Sequence, residues 1–188
     1  MEKHLKIIIV GNNGVGKTSL VQQYCIDTKL SMSDYIPTIG INFNQKILKF
    51  HKDKIKLIIW DTAGEVEFHT MVLPMYKSSN IVIIMYDITD RLTFLEVPYW
   101  VEKIKHNVLK PPLIALIGNK IDLDIESNRV VSYDEADDFA NNNGLVFMEI
   151  TSQNKESVNI IFNTLINHVY LNELNSQEHG IKRGCVIL

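Results

Sequence analysis

Apolar and polar positions along this chain follow two alternating rhythms. Short, mostly apolar runs occupy residues 5–10, 81–86 and 113–118, each with the length of a buried strand. Residues 41–50 and 54–60 also have strand character, and the polar turn His51-Lys52-Asp53 joins them. That pair predicts an antiparallel hairpin. Between the runs the apolar spacing is that of helices. Residues 19–24 continue as a helix after a glycine-rich loop, and residues 65–79 read as a loop followed by a helix interrupted by Pro74. Residues 93–108 carry Val97, Val101, Ile104 and Val108 at helical spacing, with Pro98 expected to kink or restart the helix. Ser132 is placed to cap a helix over 133–143, and Gly144 leads into a short strand over 145–150. A last helix over 157–171 has the stripe Val158, Ile161, Phe162, Leu165, Val169 and Tyr170. Strands alternating with helices predict an α/β fold, a doubly wound and mostly parallel sheet.

Composition narrows this picture. A chain of 188 residues with 46% hydrophobic content suits one well-buried core. A net charge of −3 gives no electrostatic footprint for nucleic acid. Cys25 and Cys185 are far apart, which is no disulfide framework and suits a reducing compartment. The N-terminus lacks the shape of a signal peptide, and no apolar run approaches the ~18 residues of a membrane span. The six histidines are scattered without the pairing of a zinc helix. From residue 172 the composition turns polar, so the expected division is a domain over 1–174 and a flexible tail over 175–188.

The chemistry is concentrated in three loops that follow strands. Gly11-Asn12-Asn13-Gly14-Val15-Gly16-Lys17-Thr18 stands between an apolar run and the helix that Ser19 continues. This is the context of a phosphate-binding loop: glycines let backbone amides approach a polyphosphate, and the helix N-terminus adds positive potential. Lys17 can supply an ammonium to the β- and γ-phosphates, and the Thr18 hydroxyl can ligate Mg²⁺. Trp60-Asp61-Thr62-Ala63-Gly64 ends the second hairpin strand. Asp61 can hold Mg²⁺ through its water shell, and Gly64 allows an amide close to a terminal phosphate. Asn119-Lys120-Ile121-Asp122 follows the run over 113–118. A carboxylate at Asp122 can accept from both donors on the guanine edge, while adenine would leave it unpaired. Asn119 can brace neighbouring loops, and the stem of Lys120 can cover a base face. Thr151-Ser152-Gln153 closes the last strand at the same sheet edge.

With GNNGVGKT, YIPTIGINF, KLIIWDTAG, YDIT, NKID and EITSQ in order, the chain resembles the Ras superfamily of small GTPases, and within it the Rab family. The resemblance implies a P-loop G-domain: a six-stranded, mostly parallel sheet with one antiparallel strand and about five helices. It implies GTP and GDP as substrate and product, with Mg²⁺ as cofactor. Thr38 then ligates Mg²⁺ beside Thr18 and Asp61 and senses the γ-phosphate, as Gly64 does in the second switch. Asn13, Gly14, Val15, Gly16, Lys17, Thr18, Ser19, Tyr35, Asn119, Lys120, Asp122, Thr151, Ser152 and Gln153 complete the nucleotide contacts, and the backbone around Ser152 meets the guanine O6. The catalytic set is Lys17, Thr38, Gly64 and position 65. The partners implied are an exchange factor, a GTPase-activating protein, an escort or dissociation-inhibitor carrier, and effectors at the switches. Cys185-Val186-Ile187-Leu188 is a C-a-a-X box whose leucine favours geranylgeranyl on Cys185, which implies the cytoplasmic face of an endomembrane in exchange with cytosol.

The chain departs from the family in three places. Glu65 stands where the family has its water-positioning glutamine; a carboxylate donates no hydrogen bond and adds charge near phosphate, so slow intrinsic hydrolysis is expected. The segment before Tyr35 is longer than usual, and Lys29-Leu30 falls near the family's base-stacking aromatic. Either the base loses this cover and nucleotide exchanges faster, or Tyr35 or Leu30 takes over. Gln153 replaces the usual lysine, a mild change. Glu65 also favours a different reading, a hydrolysis-poor scaffold held in one nucleotide state. A P-loop kinase or ATPase is opposed by Asn119-Lys120-Ile121-Asp122 and by the lack of an arginine-rich lid.

Overall fold

The computed structural model describes residues 2–25, 40–64, 69–108, 110–124 and 128–183. Its elements are β1 (Glu2–Val10), α1 (Lys17–Cys25), β2 (Ile41–Phe50), β3 (Asp53–Thr62), α2 (His69–Tyr76), β4 (Ile81–Asp87), α3 (Arg91–Leu95), α4 (Val97–Asn107), β5 (Leu113–Asn119), a 3₁₀ turn (Ile121–Leu123), α5 (Tyr133–Asn143), β6 (Val146–Glu149) and α6 (Lys155–Arg183). The six strands form one sheet in the order β2-β3-β1-β4-β5-β6. Only the β2–β3 pairing is antiparallel. This is the mixed sheet that the alternation of runs predicts.

Two hydrophobic clusters form on opposite faces of the sheet because side chains alternate along each strand. Leu5, Ile7 and Ile9 of β1 face α1 and α6, where Leu20, Tyr24, Val158, Phe162 and Leu165 are buried. Ile8 and Val10 face the other way, among Val72, Trp100, Val101, Ala136 and Ala140. All seven residues of β4 are buried, which explains its unbroken apolar sequence. On the α6 side the Tyr24 and Phe162 rings stack with centroids 3.7 Å apart.

Helix ends follow local chemistry. The Ser132 hydroxyl accepts from the Glu135 amide at the start of α5, and Gly144 ends that helix at φ +70°. Pro98 restarts the helix instead of bending it. The α3 segment closes after Leu95 with Asp90 as its cap, and α4 opens at Val97 with Pro98 in the first turn, where a missing N–H costs little. Pro74 lies inside α2.

Two boundaries need correction. The β1 strand begins at Glu2, before the apolar run, because its backbone pairs with β3 from Glu2 opposite Lys54 onward. The last helix is longer than 157–171, running from Lys155 to Arg183. An apolar stripe reports which turns are buried. It does not report where backbone hydrogen bonding stops, and the stretch past Leu171 has no proline to end it.

The parallel arrangement brings the carboxyl ends of β1, β3, β4, β5 and β6 to one edge, the edge where such sheets bind ligands. The docking of α6 on α1 fixes the helix behind that edge. Phe162→Ala is expected to cost about 3–5 kcal/mol, and Ile160→Ala, 56% exposed on the same helix, to stay within about 0.5 kcal/mol. Urea denaturation of the two variants against the parent checks this contrast.

Candidate functional site

The glycine loop between β1 and α1 folds around the side chain of its own lysine. Lys17 is buried, and its ammonium donates to the carbonyls of Gly11 at 2.8 Å and Asn12 at 2.6 Å. Burial lowers the ammonium pKa to about 8, with the Asp61 carboxylate pulling in the opposite direction. Next along α1, the Thr18 hydroxyl donates to Asp61 Oδ2 at 2.7 Å. Asp61 is 1% exposed at the end of β3. The following Thr62 hydroxyl donates to the Ile9 carbonyl at 2.7 Å and ties the exit of β3 to β1.

Gly64 lies flat against the loop. A Cβ there would stand 2.2 Å from the Asn13 nitrogen and 2.4 Å from the Asn12 carbonyl carbon, so no other residue fits without displacing backbone. The result is a cleft with Asn13, Gly14, Gly16, Lys17, Thr18 and Ser19 on one wall and Thr62, Ala63 and Gly64 on the other. Its oxygen donors suit a hard cation. The Thr18 hydroxyl donates its hydrogen to Asp61, a hydroxyl oxygen can also ligate a cation, and the carboxylate adds charge. Among the described residues no group of three His, Cys, Asp or Glu side chains could hold a metal by itself. Such a donor set fits Mg²⁺, which keeps waters and shares phosphate oxygens.

The second loop is attached to the first by one amide. Asn119 ends β5 with no exposure. Its Nδ2 donates to the Val15 carbonyl at 2.7 Å and to Ser152 Oγ at 3.2 Å, and its Oδ1 accepts from the Ser152 amide at 2.8 Å. A Cβ on Gly16 would meet Asn119 Nδ2 at 2.2 Å, so the glycine is required for this approach. Three segments far apart in sequence therefore meet on a single side chain. Thr151 is half-buried and accepts from the amide of Gln153, which is exposed.

Lys120 has a left-handed backbone at φ +72°, unusual for a residue with a Cβ. Its ammonium is held 2.6 Å from Asp87 Oδ2. The other oxygen of Asp87 accepts from the Thr89 amide and hydroxyl at 2.8 and 2.7 Å. Asp122 lies on the 3₁₀ turn, exposed and without a partner among the described residues. Its surroundings are open on the protein side, in contrast to the enclosed carboxylate that base selection suggests.

Sequence reading missed two bracing residues. Asp87 was visible only as part of Tyr86-Asp87-Ile88-Thr89, with nothing to pair it with Lys120. Arg129 gave no signal, because its partners lie at scattered separations. Its guanidinium forms a bidentate pair with Glu149 at 2.8 and 2.9 Å and reaches Asp124 Oδ2 at 2.9 Å and the Val131 carbonyl at 3.1 Å. It thus links the segment just after Asp122 to the strand just before Thr151. Lys29, Leu30, Tyr35, Thr38, Glu65 and Cys185 lie outside the described residues.

Comparison with known proteins agrees with this geometry. The Ras family model matches residues 6–171. The GTP-binding protein YPT1 of Saccharomyces cerevisiae is 37% identical over 164 residues, covering 87% of this chain and 78% of that protein. Ras-related protein RABA4b of Arabidopsis thaliana is 35% identical over 177 residues, covering 93% and 77%. Ras-related protein Rab-18-B of Danio rerio is 34% identical over 183 residues, covering 95% and 87%. Matches of this extent, on a sheet with these three loops at one edge, establish that the chain belongs to the Rab family of Ras-superfamily small GTPases.

Proposed function

We propose that the chain is a membrane-trafficking switch. Its GTP-bound form recruits effectors on an endomembrane, and hydrolysis to GDP ends the signal. The observation that carries this reading is the cleft itself, with Lys17, the Thr18–Asp61 pair and Gly64 around one space. Asn119 joins that cleft to the base-side loops.

In this reading Lys17 and the amides of Asn13 to Ser19 hold the phosphates. Asp122 accepts from the guanine edge, Lys120 covers one face of the base, and the backbone around Ser152 meets its O6. Mg²⁺, when bound, neutralises phosphate charge; Thr18, Asp61 and Thr38 are the residues that would hold it. Thr38 and Gly64 read the γ-phosphate and set the order of the two switches. Regulators, carriers and effectors meet the protein there, and a geranylgeranyl group on Cys185 attaches it to the membrane.

The chemistry of Glu65 favours slow intrinsic hydrolysis, because a carboxylate beside an anionic phosphate neither donates to the attacking water nor stabilises the charge that develops. Glu65→Gln is expected to raise the single-turnover rate of GTP hydrolysis about tenfold or more. Equal rates would remove Glu65 from the mechanism. A second reading, a scaffold that hydrolyses poorly and stays in one nucleotide state, rests on the same residue. It is favoured if the parent protein retains GTP unhydrolysed even with an activating protein present.

The lowered pKa of Lys17 gives a pH signature with two signs. Nucleotide binding needs the ammonium, which the free protein loses above pH about 8. GDP affinity is expected to hold below that pH and to fall by up to about tenfold per pH unit above it. Lys17→Met should bind weakly throughout, with no break. Stability of the nucleotide-free protein runs the other way. Between about 8 and the ordinary 10.5 the unfolded chain binds more protons than the folded one, so the parent gains stability with rising pH relative to Lys17→Met. Titration calorimetry and thermal melts across that range measure both.

Arg129 is expected to act as a positioning residue for base recognition. Arg129→Ala should speed GDP release about tenfold. It should also reduce discrimination against inosine diphosphate, which lacks the exocyclic amino group that Asp122 would meet. Fluorescent-nucleotide displacement with both diphosphates separates this from general loosening, which would leave the ratio unchanged.

A further inference from the structure

The turn-proximal half of the outer face of the β2–β3 hairpin takes part in neither the core nor the nucleotide cleft, while Trp60 further up packs on the second cluster. From the turn upward its registered pairs are Lys49 with Lys54, Ile47 with Lys56, Gln45 with Ile58 and Phe43 with Trp60. The adjacent strand β1 adds Glu2 beside Lys54, His4 beside Lys56 and Lys6 beside Ile58. The reverse face is the one that packs, through Leu48, Ile55 and Leu57, on the cluster shared with α1 and α6.

The lower part of this face concentrates positive charge on a chain whose net charge is −3. Lys49 and Lys54 are exposed, as is Lys52 in the turn, and Lys6 and Lys56 are half-exposed. Lys6, Lys49 and Lys56 form no ion pair with any described residue. Like charges directly opposite each other in an antiparallel pair destabilise it, so folding alone does not favour Lys49 against Lys54. Among these lysines Ile47 is 56% exposed.

The place of this face in the molecule matters as much as its charge. The hairpin turn is at the sheet end opposite the cleft, and α6 descends to it. The Tyr170 hydroxyl donates to Asp53 Oδ2 at 3.1 Å, and the Lys3 ammonium lies 3.3 Å from Glu173 and 3.7 Å from Asp53. From there α6 continues to Arg183, about 15 Å further along a helix. Cys185 follows within two residues. The chain thus leaves the domain from the end that carries the lysines.

We propose that the lower hairpin face, Lys49, Lys52 and Lys56 with Ile47 and Lys6, binds the anionic surface of a membrane. It rests on the reading of Cys185 as the membrane anchor, and it supplies what that anchor lacks. A single prenyl chain gives only marginal, reversible attachment, and stable binding takes a second signal. The tail offers Lys182 and Arg183 alone. Each lysine at an anionic surface adds about a fivefold gain in partitioning. An exposed isoleucine among lysine stems suits the boundary between headgroups and acyl chains, where ammonium groups reach outward and the stems stay apolar.

The test uses the unlipidated full-length chain at low salt, sedimented with phosphatidylcholine vesicles with and without phosphatidylserine. Addition of the prenyl group to Cys185 is scored separately by mass, so failure of the anchor and failure of the hairpin face are distinct results. The parent is expected to bind only the vesicles that contain phosphatidylserine. Replacing Lys49, Lys52 and Lys56 together by Gln should lower that binding about 100-fold, with no fall in the thermal melt. Replacing the exposed Lys77, Lys105 and Lys110 by Gln should leave it intact. The proposal is overturned if the parent shows no preference for phosphatidylserine, or if both triple variants lose binding alike. It is also overturned if the hairpin lysines capture a polyglutamate peptide but no vesicle, which would make this face a protein-docking surface.

Discussion

One buried amide governs the geometry of the candidate site. Asn119 uses both ends of its side chain on two loops from opposite halves of the chain, Val15 in the phosphate loop and Ser152 after β6. A buried amide left without partners costs about 1–3 kcal/mol, so each loop is held partly by the cost of releasing it. The close approach at Gly16 is the same constraint seen from the other side, because a Cβ there would occupy the place of Nδ2. Without this contact the phosphate cleft and the base-side loops would be two independent surfaces at one sheet edge. With it they form a single frame.

Around that frame the charged residues pair across strand ends. Lys120 is paired with Asp87 from β4, and Arg129 with Glu149 from β6. The Arg129 pair keeps its guanidinium protonated through the carboxylates beside it. Exposed ion pairs contribute little to stability, but bidentate geometry fixes direction as well as distance. Their value is in orientation. Asp122 gains a defined position from the turn that these pairs flank while its own carboxylate stays open to a ligand.

Most of the fold was legible in the sequence because its buried strands are apolar on both faces. The runs at β1, β4 and β5 and the hairpin of β2 and β3 follow from residue type alone. The phosphate loop and Asn119-Lys120-Ile121-Asp122 were legible because their chemistry is local in sequence. What escaped was either long-range or unrelated to burial. No spacing rule connects Arg129 to Glu149, or Lys120 to Asp87. The continuation of α6 past Leu171 depends on backbone hydrogen bonds that a hydrophobic stripe does not register. The exposure of Asp122 depends on the shape of a 3₁₀ turn. The left-handed backbone of Lys120 is likewise set by the pairing of its neighbours and not by its own preference.

If Lys17 holds phosphate as proposed, binding is an exchange of partners. The Lys17 ammonium already has two carbonyl acceptors, and the Thr18 hydroxyl already has Asp61. A phosphate must therefore offer Lys17 more than the carbonyls of Gly11 and Asn12 do, and the gain is the difference between the two. Burial sharpens that difference. The same desolvation that lowers the Lys17 pKa makes full negative charge a far better partner than a carbonyl dipole. Thr18 behaves differently. Its hydrogen can stay with Asp61 while its oxygen turns to a cation, so that pair need not break for a metal to bind. The way Lys17, Thr18 and Asp61 are held thus suits a charged, metal-bearing ligand better than a neutral one.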